Sequence, residues 1–312
     1  MKRIFALIFA SLSGLSIAQT VSTPVVGFSK YNLSAGQYVF SPGFTKAPVN
    51  QGSAVITTKT ISLSGVSTTT LAPTSFTDGR PNYPTSYIEI LSGTYSGVAF
   101  DITSVTSSSV SSADFPSDLN GQNISYVIRN HVTLQDVFTP DTGFAEYSDG
   151  ITVWNSDGSS SLRYLAGGII TTDDFTTPAG HMPIYPGSGV ILNIGSSVTL
   201  QTTGQVKATM TKVPVYPNVN NIVGTMNPSS NVKVTSSLLG SSLAAYADSA
   251  VIYSNNGGFS LLAYVFSDGS SATDDSFTPY TSLNSPSISN GSAAIINVAT
   301  PGYVTLSSPI SP

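Results

Sequence analysis

The sequence predicts an all-β protein built as two related halves, and three observations carry that expectation. Apolar runs are short, rich in Val, Ile, Tyr and Thr, and bounded by Gly, Pro, Asn or Ser, which is the pattern of strands and turns. No apolar stripe of helical period survives for roughly eleven residues, because 27 Gly and 19 Pro punctuate the chain. The stretch from Tyr147 to Leu200 is also written a second time, from Tyr246 to Leu306. Tyr147-Ser-Asp149 and Val153-Trp154 return as Tyr246-Ala-Asp248 and Ile252-Tyr253. Asp173-Asp174-Phe175 returns as Asp274-Asp275-Ser-Phe277, Gly187-Ser-Gly as Gly291-Ser-Ala, and Val198-Thr-Leu as Val304-Thr-Leu. Blocks in the same order make chance a poor explanation, so each half reads as a β-sandwich or barrel-like unit.

In chain order, residues 1–18 read as a secretory signal: basic Lys2-Arg3, an apolar run from Ile4 to Leu15, and Ser16-Ile17-Ala18 as a small-residue cleavage pattern. That run is shorter than the roughly 20 residues of a membrane-spanning helix. The first half (19–204) opens with Val25–Leu33 and Gly36–Pro42, read as a pair of strands around Ser34-Ala35-Gly36. An inserted subdomain, a small β-barrel or meander, is expected at about 84–132. It contains the alternating run Tyr87-Ile-Glu-Ile-Leu91, then Gly97–Ile102, a Ser-rich segment (104–112) read as a polar-faced strand, and Gln122–Arg129. Tyr147–Trp154 and Leu162–Ile169 flank Asn155-Ser-Asp157-Gly158, an Asp-Gly hairpin turn. The second half (205–312) begins with looser counterparts of the first strands, Gln205–Val215 and Asn221–Pro228.

Composition narrows the function classes. Only 9% of the 312 residues are charged and the net charge is −5, yet 40% are hydrophobic, so the chain is folded rather than disordered. Its 11 Lys and Arg are scattered, which excludes a basic nucleic-acid face. With 0 Cys there are no disulfides and no thiolate metal sites. Weak charge removes the long-range repulsion that keeps copies apart, so self-association is expected.

Val26-Gly27-Phe28, Tyr87-Ile-Glu-Ile-Leu-Ser-Gly93, Tyr126-Val-Ile-Arg129, Thr133-Leu134, Val153-Trp154-Asn155 and Gly187-Ser-Gly189 occur in this order across most of the chain. Their order resembles a family of uncharacterised, paralogous secreted β-rich proteins of Verrucomicrobia-type bacteria. That resemblance implies secretion and β architecture and brings no catalytic residues.

Candidate chemistry is sparse. The 2 histidines, His131 and His181, have no metal-ligand spacing, and Ser188 in Gly187-Ser-Gly189 is too short a motif for a nucleophile elbow. Asp173-Asp174 and Asp274-Asp275 sit at matching positions and read either as turn-fixing side chains or as partial ligands for calcium, which takes oxygen donors. Trp154 and Tyr253 match each other and read either as sheet-face residues or as a sugar-stacking platform. The expectation is a secreted, non-catalytic structural or cell-surface protein, extracellular or periplasmic, that associates with itself through β edges. The alternative is an extracellular carbohydrate- or surface-binding module. No cofactor is expected unless the aspartates take calcium.

Overall fold

A computed structural model describes residues 24–63, 68–76, 82–228, 232–233, 248–253, 259–265, 272–273 and 287–310; the signal segment and the Asp274-Asp275 pair lie outside them. The fold is all-β, in several antiparallel sheets, none of which closes into a barrel among the described residues. In chain order the first strands are β1 (Val26–Leu33), β2 (Gly36–Phe40), β3 (Pro48–Val55), β4 (Thr60–Ser62), β5 (Ser86–Ile90), β6 (Ala99–Asp101), β7 (Ser104–Val105), β8 (Ser109–Ser111) and β9 (Asn123–Asn130). Next come β10 (Val132–Thr133), β11 (Gly150–Trp154), β12 (Ser160–Ala166), β13 (Ile169–Thr172), β14 (Pro183–Ile184), β15 (Val190–Ile194) and β16 (Val198–Gln205). After residue 205 follow β17 (Thr211–Val215), β18 (Asn221–Gly224), β19 (Val232–Lys233), β20 (Ser249–Tyr253), β21 (Phe259–Val265), β22 (Ala272–Thr273), β23 (Ser287–Ile288), β24 (Ala293–Asn297) and β25 (Gly302–Leu306).

Sheet order is the same before and after residue 205. A five-stranded sheet β13-β12-β11-β15-β2 matches β22-β21-β20-β24-β18. The ladder β1-β16 matches β17-β25, and β10-β14 matches β19-β23. Strand alternation sends Ile151, Val153, Leu192 and Ile194 inward against Val198 and Leu200, forming the first core. Ala250, Ile252, Ala294 and Ile296 do the same against Val304 and Leu306. The opposite faces of the two five-stranded sheets meet through Val39, Ile191 and Trp154 on one side and Ile222, Ala293 and Ile295 on the other.

The contacts between the halves are reciprocal. Ser41 donates its N–H to the Gly291 carbonyl (3.0 Å), and Gly224 donates to that of Gly187 (2.7 Å). The bridges Phe40↔Ser292 and Ser188↔Val223 correspond in the same way, as an approximate two-fold axis requires. Both corner glycines are left-handed, Gly187 at φ 77 and Gly291 at φ 76. A Cβ on Gly187 would collide with Val213 and Leu306 of the other half, and one on Gly291 with the Tyr31 ring. The doubled Gly-Ser corner is therefore where each half reaches onto its neighbour.

Three local expectations need correction. β1 and β2 exist but do not pair with each other: β1 pairs with β16 and β2 with β15, so Ser34-Ala35 carries the chain from one layer to the other. The inserted sheet, ordered β3-β9-β5-β6, recruits β3 and therefore starts at Pro48, well before residue 84. It is an open sheet with a small β4-β8-β7 companion, not a barrel. The strand expected over 162–169 ends at Ala166, and Gly167-Gly168 turns it into β13.

Candidate functional site

The inserted sheet has one apolar and one polar face, and period-2 alternation produces both. Ile88, Ile90, Ile124 and Ile128 turn into an apolar core with Phe100, Phe115 and Leu119. Tyr87 and Glu89 turn the other way, with Arg129 and Asp101 opposite Tyr87 on the flanking strands. That polar face is buried. Lys207, on the link between β16 and β17, reaches Glu89 Oε1 at 2.7 Å, with both side chains only 1% exposed. The Thr209 hydroxyl donates to the same oxygen (2.9 Å) and accepts from Lys207 Nζ (2.9 Å), which also donates to the Met210 carbonyl. Arg129 donates to the Lys46 carbonyl (2.7 Å) and to the Gln205 side chain.

Desolvation lowers the Lys207 pKa, against the opposing pull of Glu89. Burial, and then the Glu89 charge, holds the Tyr87 phenol well above its usual range. A pair so enclosed cannot meet a substrate; it fastens the inserted sheet to the link between the halves.

From the same sheet a polar chain runs outward. His131 is 1% exposed and lies between the rings of Tyr87 (4.8 Å) and Tyr185 (5.0 Å). Its Nε2 is 3.0 Å from Asp101 Oδ1, and the Tyr185 hydroxyl donates to Asp101 Oδ2 at 2.8 Å. Desolvation first, and the Asp101 charge next, raises the Tyr185 pKa, so this phenol remains a donor.

Tyr185 opens onto a cleft of about 660 Å³ where the inserted sheet, the first half and the second half meet. Trp154, at the end of β11, lines it and is half-buried, and its Nε1 has no acceptor among the described residues. Tyr216 and Tyr303 of the second half complete an aromatic wall, with Asp114 beside them. Asn221 sets the Tyr216 loop: its side chain accepts from Tyr216 N–H (2.8 Å) and donates to the carbonyls of Tyr216, Val219 and Ile296.

Of the residues singled out from sequence, Trp154 reaches this cleft, whereas the Tyr253 side chain lies outside the described residues. Asp174 is bound within its own turn. It accepts from the hydroxyls of Thr172 (2.7 Å) and Thr177 (2.5 Å) and from the N–H groups of Thr176 and Thr177 (both 2.8 Å). Those bonds, led by the Thr177 hydroxyl, hold its carboxyl well below the usual range. Phe175 follows at φ 57 and packs on Tyr164 (4.9 Å), and Asp173 is exposed. Among the described residues, no group of three or more His, Asp or Glu is placed to hold a metal ion. Ser188 bridges to Val223 of the second half, while within its own half its carbonyl accepts from the Ser41 hydroxyl (2.7 Å) and its hydroxyl donates to Tyr185 O (2.8 Å).

No sequence pattern singles out Asp101 and Asp114 of the cleft, whereas Asp149 and Asp248, matched in the copied blocks, take a structural role in both halves. Each is fully buried; Asp149 accepts from Gly195 N–H (2.8 Å) and Ala145 N–H (2.8 Å), and Asp248 from Ala299 N–H (2.7 Å). Gly195 follows β15 directly and Ala299 follows β24 after Val298, so the same lock is used in both halves.

The sites thus define an all-β protein with a three-way cleft and a buried ionic clamp. Compared with family models, curated proteins and solved structures, the chain matches none. No helix among the described residues is long and apolar enough to cross a membrane.

Proposed function

We propose that this is a secreted, non-catalytic structural protein of the cell surface, made of two copies of one β unit (19–204 and 205–312), that joins further copies through a bare strand edge. One observation carries the reading: β3 is the end strand of its sheet and runs for eight residues, Pro-Val-Asn-Gln-Gly-Ser-Ala-Val, without a charge. Among the described residues no strand pairs with its outer edge, and Val49 (38%) and Val55 (50%) are exposed along it. Proteins normally guard such edges with Lys, Pro or a bulge; here Pro48 and a register shift protect only the first residues. The free N–H and C=O groups beyond them favour addition of a strand from another copy. Matching sheet orders and reciprocal corner contacts support duplication of one unit. Calcium has no part in this reading.

Electron microscopy and sedimentation of the mature chain from Gln19 test it. Ordered assemblies are expected at high concentration, and Gln51→Lys/Ser53→Lys, which alters only exposed side chains, should leave monomers. A monodisperse parent protein, or assemblies indifferent to these lysines, defeats the proposal.

A further inference from the structure

We propose that the three-way cleft is a binding site for a neutral oligosaccharide. The site is independent of self-association, since no residue of β3 lines it. Its volume of about 660 Å³ falls in the roughly 300–1,000 Å³ typical of ligand sites. The chemistry of its wall selects the ligand. Trp154, Tyr185, Tyr216 and Tyr303 present ring surface from both halves. An aromatic face carries negative charge density and attracts the weakly positive C–H face of a pyranose ring, while Tyr hydroxyls at the rim can bond to the sugar's own.

Polar groups stand between the rings. Each oxygen of Asp101 already accepts one bond, from Tyr185 or His131, and retains a second lone pair for a sugar hydroxyl. Asp114 lines the cleft with both phenols, and its charge adds to desolvation and Asp101 at Tyr185, and to desolvation and Tyr303 at Tyr216, in raising their pKa values.

Charge excludes other ligands. Among the described residues Lys212 is the one cation in the lining, and its ammonium donates to the Thr94 carbonyl at 2.7 Å. Against two carboxylates it offers no anion site, so phosphate and uronic-acid ligands are disfavoured. A purely apolar ligand would cover the remaining lone pairs of the Asp101 carboxylate without satisfying them. A neutral polyol satisfies both the rings and the acceptors. The wall is also set in advance: Asn221 fixes the Tyr216 loop and Asp101 holds Tyr185, so little ordering is lost on binding.

The chain contains 1 Trp, so Trp154 reports occupancy of the cleft directly. Cellohexaose, chitohexaose and mannohexaose are titrated against the mature chain by Trp fluorescence and calorimetry, with hexagalacturonate as the anionic probe. The same titrations on Gln51→Lys/Ser53→Lys score binding apart from assembly. A saturable emission change with at least one neutral hexaose is expected. Tyr216→Ala should weaken it tenfold or more at unchanged melting temperature, and Tyr216→Phe should stay within a few-fold of the parent. Absence of binding by every neutral probe, binding of hexagalacturonate alone, or full affinity in Tyr216→Ala overturns the proposal.

Discussion

The two halves share a scaffold and differ in what is attached to it. Common to both are the five-stranded sheet order, the left-handed glycine corners at Gly187 and Gly291, and a buried aspartate bonded to the backbone after a core strand. Peculiar to the first half is the long excursion between β2 and β11, which carries the inserted sheet, His131 and the Glu89 carboxylate. What recurs is backbone chemistry: turns, caps and close approaches, where one geometry must be reproduced. The insertion adds Tyr87, Glu89 and His131, and these side chains gather where it meets the other two bodies. The matching sheets keep what each half needs to fold, and the asymmetric addition creates a cleft where three surfaces converge.

If the insertion is held by its ionic clamp, breaking that clamp should give the largest effect. Lys207→Met leaves Glu89 buried at 1% exposure without its cation, a change that costs about 3–5 kcal/mol. Lys207→Met/Glu89→Leu removes both charges and should recover most of the loss. Urea unfolding of the parent, the single and the double variant measures this; a single-variant loss under about 1 kcal/mol would mean the insertion docks by apolar packing instead.

The shared lock gives a smaller and comparative effect. Asp149→Ala takes the acceptor from the Ala145 and Gly195 N–H groups, and Asp248→Ala takes it from the Ala299 N–H. A donor left without its acceptor where water cannot replace it costs about 1–3 kcal/mol, so both variants should be destabilised in the same urea assay. Equal insensitivity would show that the lock is not what the halves have in common.

These effects also mark what the sequence could disclose. Strands and turns were legible because their signals are local: alternation in Tyr87–Ile90, or Asn155-Ser-Asp-Gly between two strands. Partnership was not, since the short Ser34-Ala35 link looks the same whether it closes a hairpin or crosses between layers. The β3–β9 pairing joins segments that no local pattern connects, which is why the insertion was drawn too small. Glu89 read as one position of an alternating strand, because its partners Lys207 and Thr209 lie far along the chain, Thr209 by 120 residues. Trp154 was legible as a strand-end aromatic, but the cleft around it is assembled from three bodies. The turn role of Asp174 was legible, since Asp followed within three residues by two Thr supplies its own donors.

That turn gives the smallest effect and extends the comparison to acid. Because the folded carboxyl of Asp174 is held below its ordinary range by Thr177, Thr172 and Thr176, the folded state binds its proton less readily than the unfolded chain. The stabilisation is therefore complete above the unfolded value of about 3.9 and is lost as the pH falls toward the folded one. Asp174→Asn cannot ionise, so it should melt slightly below the parent at neutral pH, and the gap should narrow below about pH 4. A gap that stays constant from about pH 7 to pH 2 would mean that the carboxylate charge contributes nothing and that the Thr bonds act through shape alone. Asp275→Asn in the second copy is expected to follow the same curve if that corner is built the same way. A flat response there, beside a sloping one for Asp174, would place the asymmetry between the halves in their turns as well as in the insertion.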